Sequence, residues 1–252
     1  MRAVRRKKPI YIELFLVVIT VVLSLMWCST VVLAQQFVNP LDLLMLTRSS
    51  YSKVNGYTST FVKSSIENPS ETIYLKFRKP FNLYMKWVKE PHQGREVIYV
   101  EGQNNDKVIA NPGGLIGKLI RVVKLDPEET RTPDGLYTIK DVGIGNMIDR
   151  IVTHTLIAKA NNDLKIYFRG ETNFSGREAY MIERVLPKKN EYLAHRLVVY
   201  VDQENKLPIG VYAYNWKNEL VSRYEYRDLK VNPNLDDKDF SLENRSYSFR
   251  LL

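Results

Sequence analysis

The stretch "YLKFRKPFNLYMKW" at residues 74–87 holds two strand-like runs joined by a Lys-Pro step. Past the proline, every second residue is large and apolar: Phe81, Leu83, Met85 and Trp87. Successive side chains of a β-strand point to opposite faces, so this alternation predicts a strand with one apolar face. The pattern by itself allows two interpretations, a face buried in an ordinary core or the wall of a cavity for an apolar ligand.

Similar strand-like runs precede and follow this stretch, with short polar or proline-containing turns between them. Short links favour antiparallel pairing, because parallel neighbours need long crossover connections. About ten strands in one domain are expected to curl into a barrel or half-barrel. The predicted strands are 57–66, 72–79, 81–89, 96–101 and 107–110, then 164–172, 178–186, 193–202, 207–216 and 219–230.

Three regions have helical periodicity. Residues 40–53 place apolar side chains near one stripe, and residues 143–160 form a longer stripe. Residues 114–125 repeat Lys or Arg at every third position among apolar residues, which predicts a short basic amphipathic helix. Residues 119–125 also fit a strand. The chain is therefore expected to be mainly β with α, an α+β protein.

The first 34 residues have the order of a secretory signal peptide. Basic residues come first, residues 14–27 carry no charge, and Ala34 supplies a small residue before Gln35. The uncharged stretch 14–34 is also long enough to span a bilayer, so an uncleaved membrane anchor is the alternative. In both cases residues 35–252 are predicted to be exported and to form one domain.

Charge and cysteine content limit the partners of the exported part. Removing residues 1–34, with five basic residues and Glu13, lowers the formal net charge from +9 to +5. A mild positive excess on an exported protein suits an anionic membrane surface better than nucleic acid, although a solvated surface without a partner also explains it. The one cysteine, Cys28, lies in the leader, which excludes disulfides and thiolate sites from residues 35–252.

The sequence has no catalytic or metal-binding motif. Its histidines are His92, His154 and His195, and none has a metal-ligand partner at the spacing of known motifs. The nucleophile signatures of hydrolases are missing as well. We therefore predict that the protein is not an enzyme and uses no cofactor and no metal.

Aromatic residues are concentrated on the later predicted strands. Tyr212, Tyr214 and Trp216 share one face of a strand. Tyrosine suits a cavity wall that is apolar along its body and wet at its tip. Cross-strand pairing that only stabilises the sheet is the alternative. An open wall of large side chains needs a ligand or a lid, and the two helices in the middle of the chain are candidates for that lid.

Three patterns follow one another along the chain: a Lys-Pro step before an aromatic strand, a strand and turn at 199–208 that ends in Leu-Pro, and a closing Asn-to-Phe pattern at 232–240. Together they resemble the superfamily of the periplasmic lipoprotein carriers LolA and LolB. The wording of "GREVIYVEG" (94–102) and "YTIKDVGIGNMID" (137–149) is similar to an uncharacterised exported branch of that superfamily.

The resemblance implies an open antiparallel half-barrel of about ten or eleven strands, with helices across its concave face and a hydrophobic cavity for acyl chains. It also implies a role in the cell envelope of a Gram-negative bacterium, and it supplies no catalytic residue. The expected cavity wall consists of Phe81, Leu83, Met85, Trp87, Tyr212, Tyr214 and Trp216, and the expected lid of Ile116, Leu119, Ile120, Met147 and Ile151.

These observations lead to a hypothesis for the function. The chain is expected to be a monomeric periplasmic binding protein for lipid or lipoprotein acyl chains, with a carrier or envelope-assembly role and contact with a membrane surface or an envelope protein. The alternative is a membrane-tethered regulator of the same fold that recognises another envelope protein and transports nothing. An enzyme acting on lipid or peptidoglycan is the third alternative.

Overall fold

Eleven β-strands and three α-helices form the part of the chain that the computed structural model describes, namely residues 38–66, 68–120, 122–130 and 137–249. The predicted leader at 1–34 lies outside these residues. The helices are α1 (Pro40–Ser52), α2 (Gly114–Leu119) and α3 (Ile144–Ala160). The strands are β1 (Gly56–Ser65), β2 (Glu71–Arg78), β3 (Asn82–Trp87), β4 (Glu96–Val100), β5 (Val108–Asn111), β6 (Val123–Leu125), β7 (Lys165–Phe174), β8 (Arg177–Val185), β9 (Arg196–Asp202), β10 (Pro208–Tyr214) and β11 (Leu220–Val231).

All eleven strands pair antiparallel in one sheet, in the order β6-β5-β4-β3-β2-β1-β11-β10-β9-β8-β7. Neighbours in sequence are neighbours in the sheet, and the two series meet where β1 pairs with β11. Within the described residues β6 and β7 are the two edges, so the sheet stays open. The predicted class, mainly β with α and an open antiparallel sheet, is confirmed.

Aromatic side chains fill the junction between β1 and β11. Phe61 lies opposite Tyr226, and their ring centroids are 4.8 Å apart. Tyr57 is fully buried, stacks on Phe77 of β2 at 5.2 Å and meets Tyr226 edge-on. Cross-strand rings of this size bury a large apolar area, so they hold the two halves of the sheet together.

The C-terminal segment, residues 233–249, covers one face of β3 to β5. The ring of Tyr247 stacks on Tyr84 with centroids 3.9 Å apart. Glu96 is fully buried on this face and accepts a hydrogen bond from the backbone N–H of Ser248 at 2.7 Å. The opposite face of the same strands is turned toward α3 and forms the candidate site.

Helix α3 lies over that opposite face and is anchored at its N-terminus. The hydroxyl of Tyr57 accepts a hydrogen bond at 2.9 Å from the backbone N–H of Ile144, which has no partner inside the helix. Gly143 precedes the helix with φ of +117°, a conformation that favours glycine. Helix α1 packs beside α3, where a Cβ at Gly145 would lie 2.4 Å from the ring of Tyr51.

The single helix predicted over residues 114–125 is a short helix followed by a short strand in the structure. Helix α2 ends at Leu119, and β6 follows where the edge of β5 offers backbone partners. Asn111 holds α2 in place, because its side chain accepts from the backbone N–H of Gly113 at 2.8 Å and donates to the carbonyl oxygen of Gly117 at 3.3 Å. In the described ranges, no helix combines the length and the apolar character that crossing a membrane requires.

Candidate functional site

A cavity of about 420 Å³ lies between α3 and the face of the sheet formed by β1 to β6. We call it the main cavity. Its volume lies in the range of about 300–1,000 Å³ that is typical of small-molecule sites. The pairing register brings its side chains together, since Met85 lies opposite Val97 and Val97 opposite Ala110. The apolar lining consists of Phe61, Ile73, Met85, Trp87, Val97, Ala110, Val123, Leu125, Ile139, Val142 and Met147.

The acid and base beside Trp87 in the main cavity are paired with one another. The carboxylate of Glu71 accepts a hydrogen bond from the indole N–H of Trp87 at 2.6 Å and lies 3.4 Å from the amine of Lys63. The guanidinium of Arg95 lies over the ring of Trp87, 5.4 Å from its centroid. Lys63 thus offsets the charge of Glu71, and the wall around this pair is mostly apolar, which suits an apolar ligand.

A second cavity, of about 380 Å³, lies between α3 and strands β8 to β11. We call it the basic cavity. Among the described residues its lining contains no Asp or Glu, whereas it contains Arg150, His154 and Arg184. The two cavities are neighbours, because four residues line both: Tyr137, Met147, Arg150 and Tyr224.

Arg184 is a buried cation that contacts no carboxylate among the residues the structure describes. Its side chain is 7% exposed and donates to the hydroxyl of Thr155 at 3.1 Å and to the carbonyl oxygen of Ile151 at 3.4 Å. Its Nε has no hydrogen-bond partner among the described residues. Burial lowers the pKa of Arg184 to about 10, so the group remains charged at neutral pH. Burial, and then the positive charges of Arg184 and Arg150, also lower the pKa of His154.

The structure places the predicted wall residues of β3 on the cavity face. Met85 and Trp87 line the main cavity. Leu83 points to the same face and is fully buried. Phe81 precedes β3, and its ring packs edge-on against Phe77 of β2 and Tyr99 of β4.

The aromatic residues near β10 lie elsewhere. Val211 and Ala213 line the basic cavity, so Tyr212 and Tyr214, which alternate with them, point to the opposite face of the sheet. There the hydroxyl of Tyr212 donates a hydrogen bond to the buried carboxylate of Glu225 in β11 at 2.6 Å. Trp216 follows the strand and packs against a small cluster near the end of α3. The structure therefore does not bring these three side chains together with the wall on β3.

The predicted lid residues separate into two groups. Met147 and Ile151 of α3 are buried, and they face the cavities, Met147 lining both and Ile151 the basic cavity. Ile116, Leu119 and Ile120 are exposed and are absent from the described lining of either cavity. Helix α3 thus covers the cavities, and α2 does not.

Helix α2 instead presents apolar side chains to the outside. Its inner side carries Gly117, where a Cβ would lie 2.2 Å from the side-chain oxygen of Asn111. Leu119 is 87% exposed, and Lys118 and Lys124 are exposed nearby. Exposed apolar groups that lie together mark interaction surfaces. We call this set the apolar tip: Leu115, Ile116, Leu119 and Ile120.

The sequence patterns did not indicate the basic residues Arg150 and Arg184 of the second cavity. Arg184 lies two and four residues from Ile182 and Tyr180, on the same face of β8. A charged residue in phase with the apolar positions of a strand was the available signal. Arg150 falls within the predicted helix 143–160, but the apolar stripe of that helix indicated only Met147 and Ile151 as candidate residues.

Metal binding has no support in the part of the chain that the structure describes. No group of three or more His, Cys, Asp or Glu side chains there lies close enough together to hold an ion. The described residues offer an apolar packing surface beside positive charge that no acid in the described lining of the basic cavity matches.

Solved structures with a similar fold share little sequence with the chain. The MucA/MucB complex of Pseudomonas aeruginosa matches with 14% identity and a TM-score of 0.47, over 80% of this chain and 60% of that chain. The lipoprotein LppX of Mycobacterium tuberculosis matches with 10% identity and a TM-score of 0.45, over 78% and 97%. A LolA superfamily protein from Nitrosomonas europaea matches with 11% identity and a TM-score of 0.36, over 81% and 98%.

The matching solved structures thus include a protein of the LolA superfamily, which the sequence patterns resemble. The chain spans about 60% of the length of the matched chain in the MucA/MucB complex. Likeness this distant carries no information on what the chain binds. None of the curated proteins matches the chain.

A family profile matches residues 54–249. The matched span contains all eleven strands, α2 and α3, and therefore the elements that form both cavities. The chain belongs to the DUF1571 family, a family of proteins of unknown function.

Proposed function

We propose that the chain is an exported cell-envelope protein that binds acyl chains of lipids or lipoproteins in the main cavity, in a carrier or envelope-assembly role. The main cavity carries this proposal. Side chains of six successive strands and of α3 surround about 420 Å³ of mostly apolar space. Apolar cavities stay dry and accept apolar molecules, because water finds no hydrogen-bond partners in them.

An acyl chain has the shape and the energetics that such a cavity requires. Each buried methylene contributes about 0.8 kcal/mol. One long chain therefore contributes roughly 10 kcal/mol before the costs of association are subtracted. The basic cavity adds about 380 Å³ on the far side of the shared residues, so a ligand longer than the main cavity has room to continue.

Two further features support a place at a membrane. The order of residues 1–34 predicts export, and the formal net charge of residues 35–252 is +5. The apolar tip, with Lys118 and Lys124 close to it, combines apolar and basic groups as surfaces that dock on anionic lipid do. A protein with this tip would reach the surface from which it takes or to which it delivers an acyl chain.

The direct test is to isolate the protein from its native envelope and analyse it by native mass spectrometry with solvent extraction. We expect a co-purified amphiphile, and after its removal we expect uptake of a fluorescent fatty acid. A protein that is consistently free of ligand and takes up no fatty acid would contradict the proposal. That result would favour the partner-binding alternative.

A cavity-filling variant localises the site. Ala110 lies on the wall of the main cavity, and Ala110→Phe places a ring in the space that the acyl chain would occupy. We expect the affinity for a fluorescent fatty acid to fall by about tenfold or more, since several methylenes lose their place. Ser49→Phe is the control, because it adds the same ring without a change of charge at an exposed position of α1 that lines neither cavity. Equal affinities of the two variants would place the ligand elsewhere.

A further inference from the structure

The basic cavity contains a charge that no acid in its described lining neutralises. Arg184 is 7% exposed, and the described lining of the basic cavity contains no acid. A buried charge without a partner is costly, and proteins usually pair it or neutralise it. The hydrogen bonds of Arg184 go to a neutral hydroxyl and a carbonyl group, and its Nε donates to no described residue. The missing partner is an anion.

We propose that the basic cavity binds the anionic head group, a carboxylate or a phosphate monoester, of an amphiphile whose apolar tail lies in the main cavity. The proposal rests on the function proposed above and names the class of its ligand. Arg184 is the main binding residue, because it lines the basic cavity and the described lining supplies no acid to pair with it. Arg150 assists, because it lines both cavities.

The positions of the two cavities fit one molecule with two unlike ends. Charges of both signs line the main cavity, Glu71 and Asp141 together with Lys63, Arg95 and Arg150, whereas the described lining of the basic cavity carries only basic charge. Arg150 lies between them, with its guanidinium over the ring of Tyr137 at 4.5 Å and 3.9 Å from the carboxylate of Asp141. A head group at Arg184 and a tail among the apolar residues would therefore cross the residues that both cavities share.

The binding test compares three amphiphiles that have the same tail length and different head groups, together with one anion that has no tail. Dodecanoate and dodecyl phosphate carry an anion, dodecanol carries the same tail without charge, and inorganic phosphate carries the anion without a tail. We expect the wild-type protein to bind the two anionic amphiphiles at least about tenfold more tightly than dodecanol, because a hydrogen bond to a charged group is strong when desolvated. We expect inorganic phosphate to bind only weakly.

Variants assign the preference to Arg184. In Arg184→Met we expect the ratio of dodecanoate affinity to dodecanol affinity to fall to about one. Arg169→Met is the control, since Arg169 is paired with Glu183, which points away from Arg184 on the same strand. The control should keep the wild-type ratio. A ratio near one in the wild type, or an unchanged ratio in Arg184→Met, would overturn the proposal.

The failures of the two proposals can be told apart. If no amphiphile binds, the acyl-chain function itself is wrong. If dodecanol binds as well as dodecanoate, the acyl-chain function stands and the anion site is wrong. If inorganic phosphate binds as tightly as dodecyl phosphate, the site binds a free anion, and the assignment of an amphiphile as its ligand is wrong.

A second readout needs no variant and therefore does not depend on its folding. His154 lines the basic cavity. The other lining groups that can carry a charge are Arg150, Arg184, Tyr137, Tyr192 and Tyr224. An anion placed there offsets the two positive charges, so dodecanoate should raise the pKa of His154 in an NMR titration and dodecanol should not. An equal effect of both ligands, or none of either, would overturn the head-group assignment.

Discussion

Trp87 lines the main cavity with its ring and donates its indole N–H to Glu71 at 2.6 Å. Glu71 is buried and also lies 3.4 Å from the amine of Lys63. One tryptophan thus shapes the wall and satisfies a carboxylate at its edge. Trp216 differs, because its indole N–H is buried without a hydrogen-bond partner among the described residues.

These two tryptophans make a matched pair of mutations. We expect Trp87→Phe to lower the free energy of unfolding by about 1.5–3 kcal/mol more than Trp216→Phe does, because only the first removes a hydrogen bond to a charged group. Urea denaturation of both variants measures the difference. Equal losses would mean that the bond to Glu71 does not contribute to stability.

At the level of residues, the sequence predicted part of the site. The alternation in β3 placed Leu83, Met85 and Trp87 on one face, and the structure puts that face toward α3. It did not indicate Arg184, because a single charged residue in a strand is commonly solvent-facing. Its burial follows from α3 lying over that part of β8.

Among the described elements, α2 carries the most strongly exposed large apolar side chains. Asn111 holds its inner side through Gly113 and Gly117, so the apolar tip turns outward. Leu115 is 79% exposed, more than any other large apolar side chain described except Leu119. Water contact of this extent is unfavourable unless a partner surface covers the side chains.

Vesicle binding tests the role of the apolar tip. We expect Leu119→Ser to lower the partitioning of the protein onto anionic vesicles by about tenfold, because a fully buried leucine contributes about 1.5–3 kcal/mol. Leu46→Ser, which removes an exposed leucine of α1, is the control and should bind as the wild type does. Unchanged partitioning of Leu119→Ser in sedimentation assays would contradict a membrane contact at α2.

In the molecule as a whole, ion pairs reinforce the sheet and hold the C-terminal segment against it. Asp202 at the end of β9 accepts two hydrogen bonds from Arg177 of β8, at 2.8 and 2.9 Å. Burial alone would raise the pKa of Asp202, but the bonds from Arg177 and from the backbone N–H of Asn205 lower it overall. Asp239 of the C-terminal segment has a lowered pKa as well, through Lys76 of β2.

These carboxylates predict the response of the fold to acid. A carboxyl group with a lowered pKa in the folded state takes up its proton more readily when unfolded. The stability it provides is therefore present above its ordinary pKa of 3.8 and is lost as the pH falls through the lowered value. We expect the free energy of unfolding of Asp202→Asn to depend less on pH between 5 and 2 than that of the wild type.

Asp149→Asn is the control for this experiment, because Asp149 pairs with Arg48 at an exposed site. Denaturant titrations across the pH range should give this variant the wild-type slope. A slope that is the same in Asp202→Asn and in the wild type would show that the pair with Arg177 does not govern acid unfolding.

The sequence by itself determined ten of the eleven described strands, their antiparallel pairing and the apolar stripe of α3, because these depend on alternation and short links that are local along the chain. Only the tertiary structure decided which face of each strand meets α3. Alternation has two equivalent phases, so Tyr212 and Tyr214 were as good candidates for the wall as Val211. The choice follows from the pairing of β1 with β11, whose partners Phe61 and Tyr226 are far apart in sequence and are joined by packing.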